Sequence, residues 1–184
     1  MNNDKNTDSS TTYTFDDLLY LMGRLRDPEH GCPWDIEQTY RTIVNYTLEE
    51  VYELIDTVES GDFNDMKDEL GDVLFQVIFL AKIAQDENKF EFHDVVDQLC
   101  EKLVRRHPHV FPDGHLYGLP AEGSQVDKNK VSAQWEAIKQ QERSAKSQAK
   151  LFDNIPAALP AILQAQKLQT VSYTHLRAHE TRPY

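Results

Sequence analysis

Apolar residues recur every three or four positions along most of the chain, and this spacing predicts α-helices rather than strands. The predicted helices cover residues 15–25, 40–60, 63–87, 94–106 and 125–150, with a short helical segment that ends near residue 168. Thr14 and Asp17 have the spacing of a capping pair for the first helix. Thr39 is placed to cap the second helix, which Gly61 is expected to end before Asp62 begins the third. The chain has only 7 Gly and 8 Pro, which fits an all-α fold.

The second and third predicted helices form an antiparallel hairpin that turns at Gly61. The second helix repeats apolar residues at the spacing of a core-facing stripe: Val44, Leu48, Val51, Ile55 and Val58. The third is amphipathic at first and then apolar nearly all round over residues 73–83. Such a helix has to be covered on every side. In so small a domain a partner subunit is the simplest cover, so we expect a homodimer or a higher homo-oligomer.

The net charge narrows the range of partners. The 184 residues include 19 Lys and Arg against 31 Asp and Glu, a formal net charge of −12. So acidic a chain repels phosphate backbones, which argues against nucleic acid as a partner. A substrate that carries phosphate would need a bound metal ion or a local basic patch to screen its charge.

The sequence shows no feature of an exported or membrane protein. No apolar run reaches membrane-spanning length, and residues 1–12 form a polar tail, expected to be disordered, without an apolar signal core. Cys32 and Cys100 have neither metal-ligand spacing nor the pattern of a disulfide framework, and they fit a reducing compartment. We expect a cytoplasmic protein with no membrane partner.

Carboxylates are placed symmetrically about the hairpin turn. Glu50 and Glu53 lie three residues apart on one face of the second helix. Glu69 and Asp72 do the same on the third. Glu53 and Glu69 lie eight residues either side of Gly61, and Glu50 and Asp72 lie eleven either side. Residues equidistant from the turn of an antiparallel hairpin stand at the same height, so the four carboxylates are expected to meet as two rungs.

An arrangement of this kind favours a bound cation. Two rungs of like charge repel unless a cation lies between them. Ligands that are all oxygen select hard cations, and Mg²⁺ or Mn²⁺ is the choice for phosphate chemistry. The alternative is a solvated acidic face, as most acidic pairs on helices are. The mirror register about Gly61 favours the metal site.

Several motifs together resemble the MazG family of nucleoside triphosphate pyrophosphohydrolases. The residues Leu48-Glu49-Glu50-Val51-Tyr52-Glu53 and Asp68-Glu69-Leu70-Gly71-Asp72-Val73-Leu74-Phe75 are similar to the ExxE…ExxD signature of that family. Residues 31–35, 105–111 and 135–139 add to the resemblance, which extends over residues 15–169. It implies a MazG-like helical bundle, a metal site on the helical hairpin, a homo-oligomer, and Mg²⁺-dependent hydrolysis of nucleoside triphosphates to monophosphate and pyrophosphate.

The resemblance also assigns roles to residues. The metal ligands it implies are Glu50, Glu53, Glu69 and Asp72. Glu49 is left open between binding the metal, supporting a ligand and activating water. The candidate general base is a carboxylate that the metal does not fully occupy, either Glu53 or Glu49.

Basic and aromatic residues are candidates for substrate binding. Lys102, Arg105 and Arg106 end a predicted helix, where they either form a solvated cap or grip the substrate phosphates. Trp34 lies in a predicted loop, residues 27–38, and either stacks on a base or anchors that loop. The sequence has no Walker loop and no other glycine-rich phosphate cradle, so metal and basic side chains have to balance the phosphate charge.

The expected layout has four parts. They are the polar tail 1–12, a MazG-like domain 13–150, a segment 151–170 that resembles the inter-domain linker of two-domain family members, and a tail 171–184. The last segment departs from the helical period and resembles translated adapter or vector sequence. The chain would then be the first copy of a two-domain protein. A non-catalytic dimerisation or regulatory domain that binds nucleotide or metal is therefore the alternative to an enzyme, and a divalent-cation buffer is a third.

Overall fold

The structure is a computed structural model that describes residues 12–119, 127, 131, 134–135, 137–139, 141–142 and 155–180. Its helices are α1 (Phe15–Leu25), α2 (Pro33–Glu37), α3 (Tyr40–Ser60), α4 (Phe63–Asp86), α5 (Phe92–Arg106) and α6 (Ala161–Glu180). Within these described ranges there is no strand, and the all-α prediction is confirmed. The chain divides into two compact units, residues 1–100 and 101–184, and α5 passes from the first into the second.

The helices of the α3–α4 hairpin begin and end at the capping residues that the sequence predicted. Thr39 caps α3, since its hydroxyl accepts a hydrogen bond from a backbone N–H in the first turn. Gly61 ends α3 with φ at 76°, a left-handed conformation that glycine adopts without steric cost. The Asp62 carboxylate accepts hydrogen bonds from two N–H groups of the first turn of α4, at 2.9 and 3.3 Å. The two helices therefore reverse direction over a tight turn and pack along their length.

The core of the first unit lies where α1 and α3 meet the second half of α4. Met22 of α1, Ile43 of α3 and Phe79 of α4 are each 2 % exposed or less. The buried core cluster consists of Met22, Ile43, Ile78, Phe79 and Ile83. Burying a large apolar side chain stabilises a fold by roughly 1.5–3 kcal/mol, so this contact holds the second half of α4 in place.

The apolar stripe that was predicted to face the core along α3 is exposed in the chain by itself. Its five members are 37–59 % exposed, and they are Val44, Leu48, Val51, Ile55 and Val58. Ile43 is the buried residue of α3 instead. The spacing was read correctly as a continuous apolar stripe, but the described residues leave much of that stripe exposed. The prediction that these residues join the core of the single chain was wrong.

Two predictions about the chain outside the hairpin were also wrong. The predicted loop 27–38 contains the short helix α2, which begins at Pro33, a residue whose fixed φ favours a first helical position. The last helical segment was expected to end near residue 168, yet α6 continues to Glu180. A helix needs only its own backbone hydrogen bonds and residues of adequate propensity, such as Leu176, Arg177 and Ala178, and no apolar period.

Two segments of the predictions lie largely outside the described residues. The polar tail is described only at Thr12. Within the predicted helix 125–150 the described positions are Asp127, which is not helical, and those between 131 and 142 given above, which are helical. Among the helices in the described ranges, none combines the length and the apolar character that crossing a lipid bilayer requires.

Candidate metal centre and adjoining pocket

Three carboxylates converge on the hairpin of α3 and α4. One oxygen from each of Glu50, Glu69 and Asp72 lies within 4.8 Å of the other two. Oxygens that share one Mg²⁺ at about 2.1 Å are separated by at most about 4.2 Å, so small side-chain rotations bring all three onto one ion. Glu50 and Glu69 are partly buried and Asp72 is exposed. The cluster is therefore held by protein on one side and accessible on the other.

The electrostatics of this cluster oppose the presence of bare negative charges. Burial, and after it the charges of Asp72 and Glu53, raise the pKa of Glu50 above its ordinary value. Burial, and after it the charges of Glu53 and Asp72, raise the pKa of Glu69 in the same way. Both shifts mean that the folded chain favours a neutralised carboxylate. A divalent cation neutralises the cluster without protonating it.

One oxygen atom of Glu69 also lacks a partner for its charge within the described part of the chain. Its Oε2 is buried and has no hydrogen-bond partner among the residues that the structure describes. A buried polar atom in this state costs on the order of 1–3 kcal/mol, and more when it is charged. An all-oxygen donor set with an unpaired buried oxygen fits a hard cation such as Mg²⁺.

The other two predicted acids lie at the edge of the cluster. Glu53 is exposed, and its charge acts on both Glu50 and Glu69. Glu49 is also exposed, and its charge contributes to the raised pKa of Glu50. The structure thus brings three of the four predicted ligands together and leaves Glu53 beside them.

A pocket of about 230 Å³ adjoins the carboxylates. Glu50 and Asp72 form part of its wall, and the remaining lining residues are Trp34, Ile43, Tyr46, Phe75, Gln76 and Phe79. The rings of Trp34 and Tyr46 meet edge-on, with 5.7 Å between their centroids. Trp34 is 50 % exposed, so it forms a wall of the pocket while remaining accessible to a ligand.

Arg26 fixes the segment that carries Trp34 against α4. Its Nη1 donates a hydrogen bond of 2.6 Å to the backbone carbonyl of Asp35. Its Nε donates to the Asp86 carboxylate at 2.9 Å. The same guanidinium lies over the Phe79 ring, 5.4 Å from the ring centroid. These contacts tie α2 to both the charged end and the buried face of α4, and they set the position of Trp34.

Residues 38–111 match the sequence model of the MazG nucleotide pyrophosphohydrolase domain. This match includes the whole hairpin and the three converging carboxylates. The chain carries a MazG domain.

The chain is similar in sequence to two curated bacterial proteins. The nucleoside triphosphate pyrophosphohydrolase of Escherichia coli (strain K12) is 51 % identical over 154 residues, which make up 84 % of this chain and 55 % of that protein. The nucleoside triphosphate pyrophosphohydrolase/pyrophosphatase MazG of Thermotoga maritima is 41 % identical over 155 residues, 84 % of this chain and 55 % of its own length. The chain spans about half the length of these curated relatives.

The fold agrees with that of a solved MazG structure. The crystal structure of a mazG-related protein from Thermotoga maritima superposes with a TM-score of 0.55 at 20 % sequence identity, covering 68 % of this chain and 98 % of that one. At this identity the likeness concerns the fold alone, and it confirms the predicted MazG-like helical fold.

The basic residues of the MazG domain that were predicted to bind phosphate lie in the second unit, where two of them have a partner. Arg105 Nη2 lies 2.8 Å from Glu142 Oε1, and Arg106 Nη2 lies 2.7 Å from Glu142 Oε2. Hydrogen bonds from Arg106 and then Arg105 lower the pKa of Glu142 to about 2. Lys102 is partly buried on the same helix. A phosphate that bound these arginines would have to displace the Glu142 carboxylate.

Sequence reasoning missed three residues that the structure singles out in the MazG domain and beside it. Gln76 was not among the predicted site residues, although an amide four residues after Asp72 was a usable signal. Tyr46 carried no signal, because it contacts Trp34 from a different helix. Glu142 pairs with an arginine 36 residues away, a distance over which no local pattern predicts a contact.

Proposed function

We propose that this chain is a Mg²⁺-dependent pyrophosphohydrolase that converts nucleoside triphosphates to nucleoside monophosphates and pyrophosphate. The proposal is carried by the convergence of Glu50, Glu69 and Asp72 within 4.8 Å, beside a pocket with aromatic walls. The MazG domain and the names of the relatives support the same reaction.

In this mechanism Glu50, Glu69 and Asp72 would hold Mg²⁺, and Mn²⁺ would fit the same oxygen donors. When bound there, the ion would supply positive charge that offsets the triphosphate charge and polarises a phosphate. Trp34, which is 50 % exposed, is proposed to stack on the base. Lys102, Arg105 and Arg106 are proposed to hold phosphate oxygens, with Glu142 displaced from the two arginines when they do so.

The chemical step is hydrolysis at the α-phosphorus. A water oxygen forms a bond to that phosphorus while the bond to the bridging oxygen of the β-phosphate breaks, and pyrophosphate leaves with the bonding electrons. The proton lost by the water passes to a carboxylate. Glu53 is the proposed base and Glu49 the alternative, because both are exposed acids at the edge of the cluster rather than members of it.

We also propose that the chain assembles as a homodimer or a higher homo-oligomer in the cytoplasm. The exposed stripe of α3, with Leu48 at 56 % and Val58 at 59 %, supports assembly. A second copy covering this stripe would remove a large apolar surface from water. The two cysteines, Cys32 and Cys100, are unpaired, which fits a reducing compartment.

A non-catalytic regulatory domain that binds nucleotide or metal is the second candidate. It is favoured by the pairing of both Arg105 and Arg106 with Glu142, which occupies both guanidinium groups and offsets part of their positive charge. In that case the catalytic residues of a longer protein would lie elsewhere.

Incubation of the purified chain with a panel of nucleoside triphosphates and Mg²⁺, followed by chromatography of the products, tests the proposal. Monophosphate and pyrophosphate in equal amounts are expected. Diphosphate with inorganic phosphate would refute the pyrophosphohydrolase assignment. Nucleotide binding without turnover would favour the regulatory domain.

A further inference from the structure

We infer that Gln76 selects the nucleobase of the ligand that enters the pocket beside the carboxylates, an inference that rests on the proposed nucleotide substrate. Gln76 is 6 % exposed and belongs to the pocket wall. Its Oε1 is buried and has no hydrogen-bond partner among the residues that the structure describes. A polar group buried in this way destabilises a fold unless a ligand or water satisfies it.

Gln76 is a polar side chain next to residues of the apolar core. Ile78 and Phe79, which follow it on α4, are at most 1 % exposed and belong to the apolar core. A leucine of similar size would fill the same space without leaving an unpaired oxygen. The position therefore gives up stability for a polar group that points to a ligand-binding role.

The shape of the pocket favours a base rather than a whole nucleotide. Its volume of about 230 Å³ lies below the roughly 300–1,000 Å³ of pockets that enclose complete small molecules. Trp34 and Tyr46 supply aromatic surface at one side. A planar heterocycle is therefore the part of a nucleotide that this pocket accommodates, and the phosphates remain outside it.

The chemistry of an amide matches the edge of a nucleobase. A glutamine side chain presents one acceptor and two donor hydrogens. Base edges likewise place donors beside acceptors, and a bidentate amide–base pair discriminates against a wrong base by tenfold or more. Gln76 follows Asp72 by four residues, which is about 6 Å along a helix axis. The two ends of one nucleotide can thus reach the amide and the carboxylate cluster from the same pocket.

A fluorescence titration of nucleoside monophosphates tests the inference without relying on turnover. The chain has 2 Trp, so Trp135→Phe leaves Trp34 in the pocket wall as the sole tryptophan reporter. Monophosphates of the four common bases are titrated into this variant with Mg²⁺ present. We expect the affinities to depend on the base. When Gln76→Leu is combined with Trp135→Phe, the ratio between the affinities of the tightest-binding and the weakest-binding monophosphate should fall by about tenfold or more.

Matched controls separate base selection from folding and from metal binding. Gln98→Leu makes the same chemical change at an exposed position of α5, and it should leave the ratio unchanged. Gln76→Leu should keep or raise the melting temperature, because it removes an unpaired amide. It should also keep the Mn²⁺ affinity of the parent protein.

Three results would overturn the inference. The first is equal binding of all four monophosphates by the parent protein, and the second is an unchanged affinity ratio in Gln76→Leu. The third is loss of Mn²⁺ binding in Gln76→Leu, which would assign the amide to the metal centre. If Gln76→Leu still releases pyrophosphate and ranks the bases as the parent protein does, the inference about Gln76 is rejected and the proposed reaction stands. Base selection through Gln76 without any turnover would reject only the proposed reaction.

Discussion

At the scale of single residues, the site consists of side chains whose charge or polarity the chain itself leaves unbalanced. Glu69 Oε2 and Gln76 Oε1 are both buried without a partner among the described residues. Both residues lie on α4, and Asp72 lies between them in sequence. Such imbalance lowers the stability of the ligand-free fold, and the proposed cation and polar ligand would remove it.

Glu142 shows the opposite situation, since two arginines balance it fully, and this predicts a pH dependence. Because the pairing lowers its pKa from 4.5 to about 2, the carboxylate contributes stability at pH values above about 4.5. That contribution is lost as the pH falls from about 4.5 towards 2. A ¹³C NMR titration of the side-chain carboxyl should give a midpoint near 2. Replacing both Arg105 and Arg106 by glutamine should return the midpoint towards 4.5, and an ordinary midpoint in the wild type would contradict the pairing.

The convergence of three acids could be predicted from the sequence, because helix geometry alone decides it. Glu50, Glu69 and Asp72 could be placed together because their distances from Gly61 and the helical repeat fix their heights and faces. The position of Glu53 outside the converging three could not be predicted, since it depends on side-chain rotamers. Gln76 and Glu142 were missed because their roles arise from burial and from a long-range contact.

At the scale of elements, the helices follow from local signals. Thr14, Thr39, Gly61 and Asp62 set the ends of helices as predicted. The segment before α3 was harder to predict, because Gly31 and Arg26 shape it through backbone contacts that a sequence pattern does not reveal. The Gly31 N–H donates to the Asp27 carbonyl at 2.8 Å.

Gly31 provides a stability prediction for this segment. A Cβ at this position would lie 2.5 Å from the carbonyl oxygens of both Asp27 and Leu25. Gly31→Ala therefore forces the backbone apart, and we expect a loss of about 1–3 kcal/mol in the free energy of unfolding. Urea unfolding measures this loss. The control is Gly23→Ala, where an added Cβ meets nothing within 4 Å and helix propensity favours alanine by roughly 0.5–1 kcal/mol. Equal stability of the two variants would refute the close-packing argument.

At the scale of the whole molecule, the exposed apolar stripe of α3 is the feature that the single chain does not explain. Periodicity identified the stripe correctly, but it could not say whether the chain or another subunit covers it, because both produce the same pattern. The chain also spans only 55 % of the Escherichia coli relative. Assembly is therefore the property for which the sequence was least informative.

Light scattering tests the assembly prediction. The wild type should be a dimer or larger at micromolar concentration, and Ile55→Lys should shift it towards monomer, because a charge replaces a stripe residue that is 44 % exposed in the single chain. Leu163→Lys on α6, at a residue of similar exposure, 43 %, is the control and should leave the mass unchanged. A monomeric wild type, or equal effects of the two variants, would contradict the role of the stripe.

The central claim is that the carboxylate cluster on the α3–α4 hairpin binds the divalent ion on which pyrophosphate release depends. The most direct measurement is the rate of pyrophosphate release as a function of Mg²⁺ concentration in the wild type, in Glu69→Gln and in Glu59→Gln, an exposed glutamate on α3. The wild type and Glu59→Gln should saturate at the same Mg²⁺ concentration. Glu69→Gln should lose activity by about 100-fold or more, since ligands that act as a unit cannot be removed singly. Superimposable Mg²⁺ curves for all three proteins would contradict the claim.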